Sequence, residues 1–216
     1  MPGFGHTLPN AGYNHSLNEG AAVVLAVLDA LNVQKAVLAF SCANGLYAIR
    51  VAQLAPSRVI RLVLSQTPSL SAMHSWARRV VPRVLHVPVL GQIVGWFVRR
   101  KAAHAWYRIA LPRGKEATEF RRHAMRALRC GGCFCLAGVV QGLGRNDPAS
   151  LRGVTTPCTM LWGPLDRSHK LTDPSSLKEL LPHAVIVEFE SSGHFPDLEE
   201  PDRFAKFLLE LVLADA

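Results

Sequence analysis

Two adjacent residues that carry nucleophiles, Ser41 and Cys42, follow the apolar run Val37-Leu38-Ala39-Phe40 and precede Ala43-Asn44-Gly45. A continuous apolar run suits a strand covered on both faces. The small residues and glycine suit a sharp strand-to-helix turn, because a backbone short of Cβ atoms can double back without clashes. A thiol at such a turn lies at a helix N-terminus, whose unpaired N–H groups favour the thiolate. Far along the chain stand a carboxylate, in Gly163-Pro164-Leu165-Asp166, and an imidazole, in Ser191-Ser192-Gly193-His194-Phe195. Nucleophile, carboxylate and imidazole are the residue types of covalent acyl transfer, provided the fold brings them together.

A second cluster, Cys130-Gly131-Gly132-Cys133-Phe134-Cys135, has the look of a metal site. Structural zinc needs four ligands in a tetrahedron. No further His or Cys grouping supplies the fourth, so these read as packing cysteines and no metal is expected. Five cysteines in 216 residues argue against a disulfide framework and fit a reducing, cytoplasmic setting. Asp29 interrupts one apolar stretch and Arg83 and His86 another, so no transmembrane segment is expected. No basic-then-apolar leader is present at the start of the sequence.

Positioning the reactive residues requires a regular succession of elements. Ser16-Leu17-Asn18-Glu19 fits a capping box that opens an apolar helix through Leu31, with Asn32 as its stop. A helix from Leu46 to Ala55 ends at Pro56, and Val59 to Leu64 is the next strand. Strand, helix and strand in succession imply right-handed crossovers and a parallel sheet. Strands over 157–163 and 184–190 and an amphipathic helix from Glu200 to Val212 complete the pattern.

Residues 71–145 break the rhythm. Helical spacing is interrupted by Pro82, Pro88, Gly91 and Pro112, and fourteen Lys/Arg face only two Asp/Glu. The chain's formal charge of +8 therefore comes wholly from this segment. Such a surface attracts anionic partners, such as a coenzyme A or carrier-protein thioester or an anionic lipid surface. Nucleic acid is not expected, because no recognition module accompanies the charge.

The stretch from Val37 to Ala48 resembles the nucleophile elbow of the α/β-hydrolase superfamily, normally Gly-x-Ser-x-Gly. Leu28-Asp29-Ala30-Leu31 and Gly45-Leu46-Tyr47-Ala48 resemble the elbow's usual flanks without a gap, which puts Cys42 in the serine's place. Phe40 and Asn44 then replace the two glycines. A rival register makes Ser41 the nucleophile, between small Ala39 and Ala43, and shifts the following helix by one residue. Met1-Pro2-Gly3-Phe4-Gly5-His6 resembles the family's Asp-x-Pro-Gly-x-Gly loop without its aspartate, which implies that the first strands and one oxyanion-hole loop are missing.

Gly163-Pro164-Leu165-Asp166 resembles the acid loop and Ser191-Ser192-Gly193-His194-Phe195 the histidine loop. The resemblance implies an α/β fold with a mostly parallel sheet. Its core would comprise residues 1–70 and 146–216, with residues 71–145 inserted as a helical cap. It further implies Cys42 as nucleophile, His194 as base, Asp166 as its orienting acid and the Ala43 N–H as half of an oxyanion hole. Phe40, Trp96 and Phe195 would line the substrate. The activity implied is hydrolysis of an ester, thioester or lactone, a small acyl substrate that includes anionic candidates, with no cofactor. Dehalogenases and epoxide hydrolases use an aspartate nucleophile, which neither Ser41 nor Cys42 provides. A noncatalytic binding protein that keeps only the cap pocket is the alternative. The elbow strand would also form an open sheet edge, inviting self-association.

Overall fold

A computed structural model describes residues 1–3, 7–10, 12–112, 122–123, 125–126 and 133–214. Phe4, Gly5 and His6 of the N-terminal motif, and Cys130 to Gly132 of the cysteine cluster, lie outside the described residues.

Four strands, β1 (Ala36–Ser41), β2 (Val59–Ser65), β3 (Cys158–Trp162) and β4 (Val185–Glu188), form one parallel sheet in the order β1-β2-β3-β4. Ser41 pairs with Ser65, Ser65 with Leu161, and Trp162 with Glu188. The carboxyl ends of all four strands are thus level. The loops that follow them must emerge side by side, the usual place for a site in a parallel sheet.

Side-chain alternation along the strands sorts the core into two layers. Leu62 and Leu64 of β2, with Cys158 and Met160 of β3, join one cluster with residues of α1 (Leu17–Ala30) and α2 (Ala43–Leu54). Val63 and Leu161 point the other way, against Phe204, Phe207, Leu208 and Leu211 of the last helix, Pro201–Ala214. Burying a residue such as Leu64 completely contributes about 1.5–3 kcal/mol. The Ser16 side chain accepts from the Glu19 N–H at 3.3 Å, and Asn32 leaves α1 with φ of 54°.

Two expectations need correction. β1 is not covered on both faces: Leu38 is buried but Ala39 is exposed. It is the outer strand of the described sheet, so it lacks the neighbours that cover β2 and β3. Helix α2 also starts at Ala43 rather than Leu46, because Asn44 and Gly45 belong to its first turn and not to the loop.

Between β2 and β3 the described residues are helical: α3 (Leu70–Val80), α4 (Leu90–Ala110) and α5 (Cys133–Leu143). Helix α4 packs against α5, and its C-terminal end reaches the histidine loop, where the Ala110 carbonyl accepts from the His194 N–H at 2.9 Å. After β4 come the short α6 (Pro196–Glu199) and then α7 (Pro201–Ala214). Among the described residues no helix is long and apolar enough to cross a membrane.

Candidate active site

Cys42 occupies the turn between β1 and α2 with φ of 52° and ψ of −131°. This backbone region is sparsely populated for a residue with a Cβ and costs on the order of 1–3 kcal/mol. Hydrogen bonds hold it there. The Cys42 N–H donates to the Ser65 carbonyl at 2.7 Å, and the Cys42 carbonyl accepts from the Gly45 N–H at 3.0 Å and the Thr67 hydroxyl at 2.9 Å. Ser41 is the last residue of β1, in ordinary register with Ser65, and does not take the positive φ. The Ala43 N–H, at the first turn of α2, has no hydrogen-bond partner among the described residues.

Asp166 is buried in the loop after β3 and accepts four hydrogen bonds. His194 Nδ1 donates to Oδ2 at 2.6 Å and Gln66 Nε2 to the same oxygen at 2.9 Å. The Ser168 N–H and hydroxyl donate to Oδ1 at 2.8 and 2.6 Å. Burial pushes the carboxyl up, but the hydrogen bond and charge of His194, with His169 and Ser168, hold it below its ordinary value. Gln66 ties the loops together: its Oε1 accepts from the Gly163 N–H at 2.9 Å. The acid and histidine loops meet so closely that a Cβ on Gly163 would lie 1.9 Å from the Gly193 carbonyl oxygen. Glycine is required there.

With Nδ1 committed to Asp166, the other nitrogen of His194 is free to serve Cys42. Burial alone would raise the thiol, but the charge of His194 and hydrogen bonding from His169 and His194 bring it down to about 6. Burial alone would lower His194, but the Cys42 charge and the Asp166 hydrogen bond raise it to about 10. The two directions describe one thiolate–imidazolium pair. Cys158, buried in β3 without such partners, is instead pushed up to about 12 by burial.

The fold brings together Cys42, Asp166 and His194, with Ala43 beside them. Phe195 packs edge-on to the His194 ring at 4.8 Å, and Phe40 is half-buried against the main core. Trp96 is 38% exposed, with the Arg99 guanidinium 4.0 Å above its ring. The aromatic residue over His194 is Trp106, ten residues further along α4, with ring centroids 5.0 Å apart at 80°. Helical spacing alone does not say which side of a long helix faces the sheet, and ten residues displace a side chain by about 15 Å and about 80° around the axis.

Sequence reasoning also missed Gln66, Thr67 and His169. A histidine three residues after a candidate acid was the one available signal. Ligand atoms of Asp166, His169 and His194 lie within 4.8 Å of one another. The carboxylate oxygens are already taken by four donors, which makes the set a poor cation cage. A separate cavity of about 570 Å³, lined by Tyr13, His15, Gln92, Cys135 and Gln141 among others, touches none of Cys42, Asp166 and His194.

A family model described as alpha/beta hydrolase family matches residues 1–207. The chain is 26% identical over 218 residues to pimeloyl-[acyl-carrier protein] methyl ester esterase of Photobacterium profundum, covering 98% of this chain and 82% of that protein. Among solved structures, a putative acyltransferase from Salmonella enterica superposes with a TM-score of 0.82 at 17% identity, over 100% of this chain and 78% of the other. The enol-lactonase of Burkholderia xenovorans gives a TM-score of 0.71 at 16% identity, over 99% and 78%. At such identities the structures speak for the fold alone.

Proposed function

The chain belongs to the alpha/beta hydrolase family and is a hydrolytic enzyme, and from that premise we propose that it cleaves an ester, thioester or lactone through an acyl-cysteine on Cys42. The observation that carries this reading is the Cys42 thiol at a positive-φ turn, facing an imidazole whose far nitrogen is bonded to a buried carboxylate at 2.6 Å.

In this mechanism the Cys42 thiolate attacks the acyl carbon, and the carbonyl oxygen becomes an oxyanion that takes the Ala43 N–H. Collapse expels the alcohol or thiol, which leaves with the proton held by His194. His194 then removes a proton from water, the hydroxide adds to the acyl-cysteine, and the acid departs as the thiolate is regenerated. Asp166 keeps Nδ1–H fixed throughout and stabilises the cation.

Residues 71–145 serve as the cap in this reading, with Trp106 of α4 and Phe195 as apolar walls. The relative's name places a methyl ester on an acyl-carrier protein, and exposed Arg78, Arg79, Arg83, Arg100 and Arg108 suit an anionic substrate or carrier. The outer edge of β1 gives a second copy a place to pair.

The test is intact mass after brief exposure to an activated acyl ester, for the native sequence, Cys42→Ala and Ser41→Ala. An acyl adduct lost only in Cys42→Ala is expected. Loss only in Ser41→Ala moves the nucleophile by one residue, and no adduct on folded protein leaves a binding protein.

A further inference from the structure

His169 is unusual for a core histidine. It is 2% exposed, and its Nδ1 lies 3.2 Å from the Thr172 hydroxyl, while its Nε2 is buried with no partner at hydrogen-bond geometry among the described residues. A buried polar nitrogen left unpaired is costly, so its position calls for a cause. The ring cannot turn away. Trp76 stacks on it at 5.0 Å and 5°, and is itself anchored by its indole N–H donating to the Ser168 carbonyl at 3.0 Å. Trp162 closes one edge at 5.6 Å, and the His194 ring lies nearly parallel at 5.4 Å and 25°.

We propose that His169 is a positioning residue for the nucleophile, an imidazole whose Nε2–H is the second donor to the Cys42 sulfur beside His194. The assignment rests on Cys42 being the reacting thiol. A thiolate only accepts, so the tautomer that leaves nothing unpaired carries its proton on Nε2 and takes the Thr172 hydroxyl at Nδ1. The drop in the Cys42 thiol to about 6, with hydrogen bonding from both histidines among its causes, agrees with this geometry. The titratable groups facing this corner are His194, His169, Asp166 behind His194, and Asp197 on α6.

Two donors suit a thiol enzyme. His194 must give its proton to the leaving group. While it does so, a permanent N–H from His169 keeps the sulfur in place and solvated by protein rather than water.

The experiment is iodoacetamide labelling across a pH series, read at Cys42 by peptide mass, on native protein, His169→Leu, His169→Gln and Thr172→Val. The native midpoint is expected near about 6. His169→Leu is expected to raise it by about one unit, a tenfold loss of thiolate on the acid side. His169→Gln, whose amide N–H reaches the same place, should restore the native value. Thr172→Val frees Nδ1 to hold the proton and should also raise it, which keeps the test open should His169→Leu not fold. An unchanged midpoint in folded His169→Leu or Thr172→Val overturns the proposal, as does an equal rise in Leu and Gln, which would mean packing. Labelling reads the sulfur and not turnover. A His169-dependent midpoint without acyl adduct at Cys42 sinks the nucleophile and spares the donor, and the converse sinks the donor alone.

Discussion

Thr67 lies directly beneath Gly45: a Cβ on the glycine would sit 2.2 Å from the Thr67 hydroxyl oxygen, which itself donates to the Cys42 carbonyl at 2.9 Å. The glycine is therefore needed for space under the elbow, and the threonine for holding Cys42 in its strained turn. Thr67 is fully buried and cannot swing into solvent. Gly45→Ala should destabilise by about 1–3 kcal/mol through overpacking. It should also slow Cys42 labelling, because the Thr67 hydroxyl must leave the elbow. Thermal unfolding and labelling rate together check this; a variant with native values for both would mean that α2 shifts freely.

Asp166→Asn puts an N–H donor where His194 Nδ1 now meets a carboxylate oxygen at 2.6 Å. The imidazole would then present the wrong tautomer to Cys42, and the acylation rate should fall on the order of 10³–10⁴ with the fold retained. The same substitution has a signature in acid. Because the folded carboxyl lies below its ordinary 3.8, it contributes stability above that value which is lost as pH falls through the folded value. Acid unfolding of the native protein should show this slope and Asp166→Asn should lack it.

The pH dependence of acyl transfer follows from the ion pair. Below about 6 the Cys42 thiol is protonated and there is no nucleophile. Above about 10 His194 has lost the proton that the leaving group needs. The kcat/KM profile should be a broad bell with limbs near these values. A single rise near the ordinary thiol value of 9.0 would mean that Cys42 and His194 do not interact.

Much of this was legible beforehand, for physical reasons. The strands were readable because they carry buried apolar runs such as Leu62–Leu64, and Asp166 and His194 because each lies in a glycine-bearing turn just beyond a strand. The edge position of β1 was expected, but the exposure of Ala39 was not, since which elements cover the faces of a strand is a property of the fold and not of the strand. Gln66 and Thr67 lie just past the end of a strand, and their roles depend on partners about 100 and 25 positions away. His169 carries no periodicity in its loop. Its meaning comes from Trp76, Trp162 and His194, which only the fold assembles around it.

Phe40, Trp96 and Phe195 are the substrate walls expected from the sequence, and Trp106 is a further aromatic residue that lies against His194. Trp106 meets His194 edge-on at 5.0 Å and Trp76 at 5.8 Å, which in the proposed reading makes it a wall for the acyl chain. Trp96 lies under Arg99, 38% exposed. Removing the wall should widen what the site accepts. A pocket contact of this kind is worth about 1–3 kcal/mol in discrimination, or about 10–200-fold. Trp106→Ala should therefore shift the ratio of kcat/KM for long over short acyl esters upward by at least tenfold. Trp106→Phe should shift it less, and Trp96→Ala should leave it alone. Kinetics on a series of acyl lengths decides between them. A shift in Trp96→Ala with none in Trp106→Ala would place the acyl chain on the outer face of α4, away from His194, and the approach to Cys42 would need to be drawn from that side.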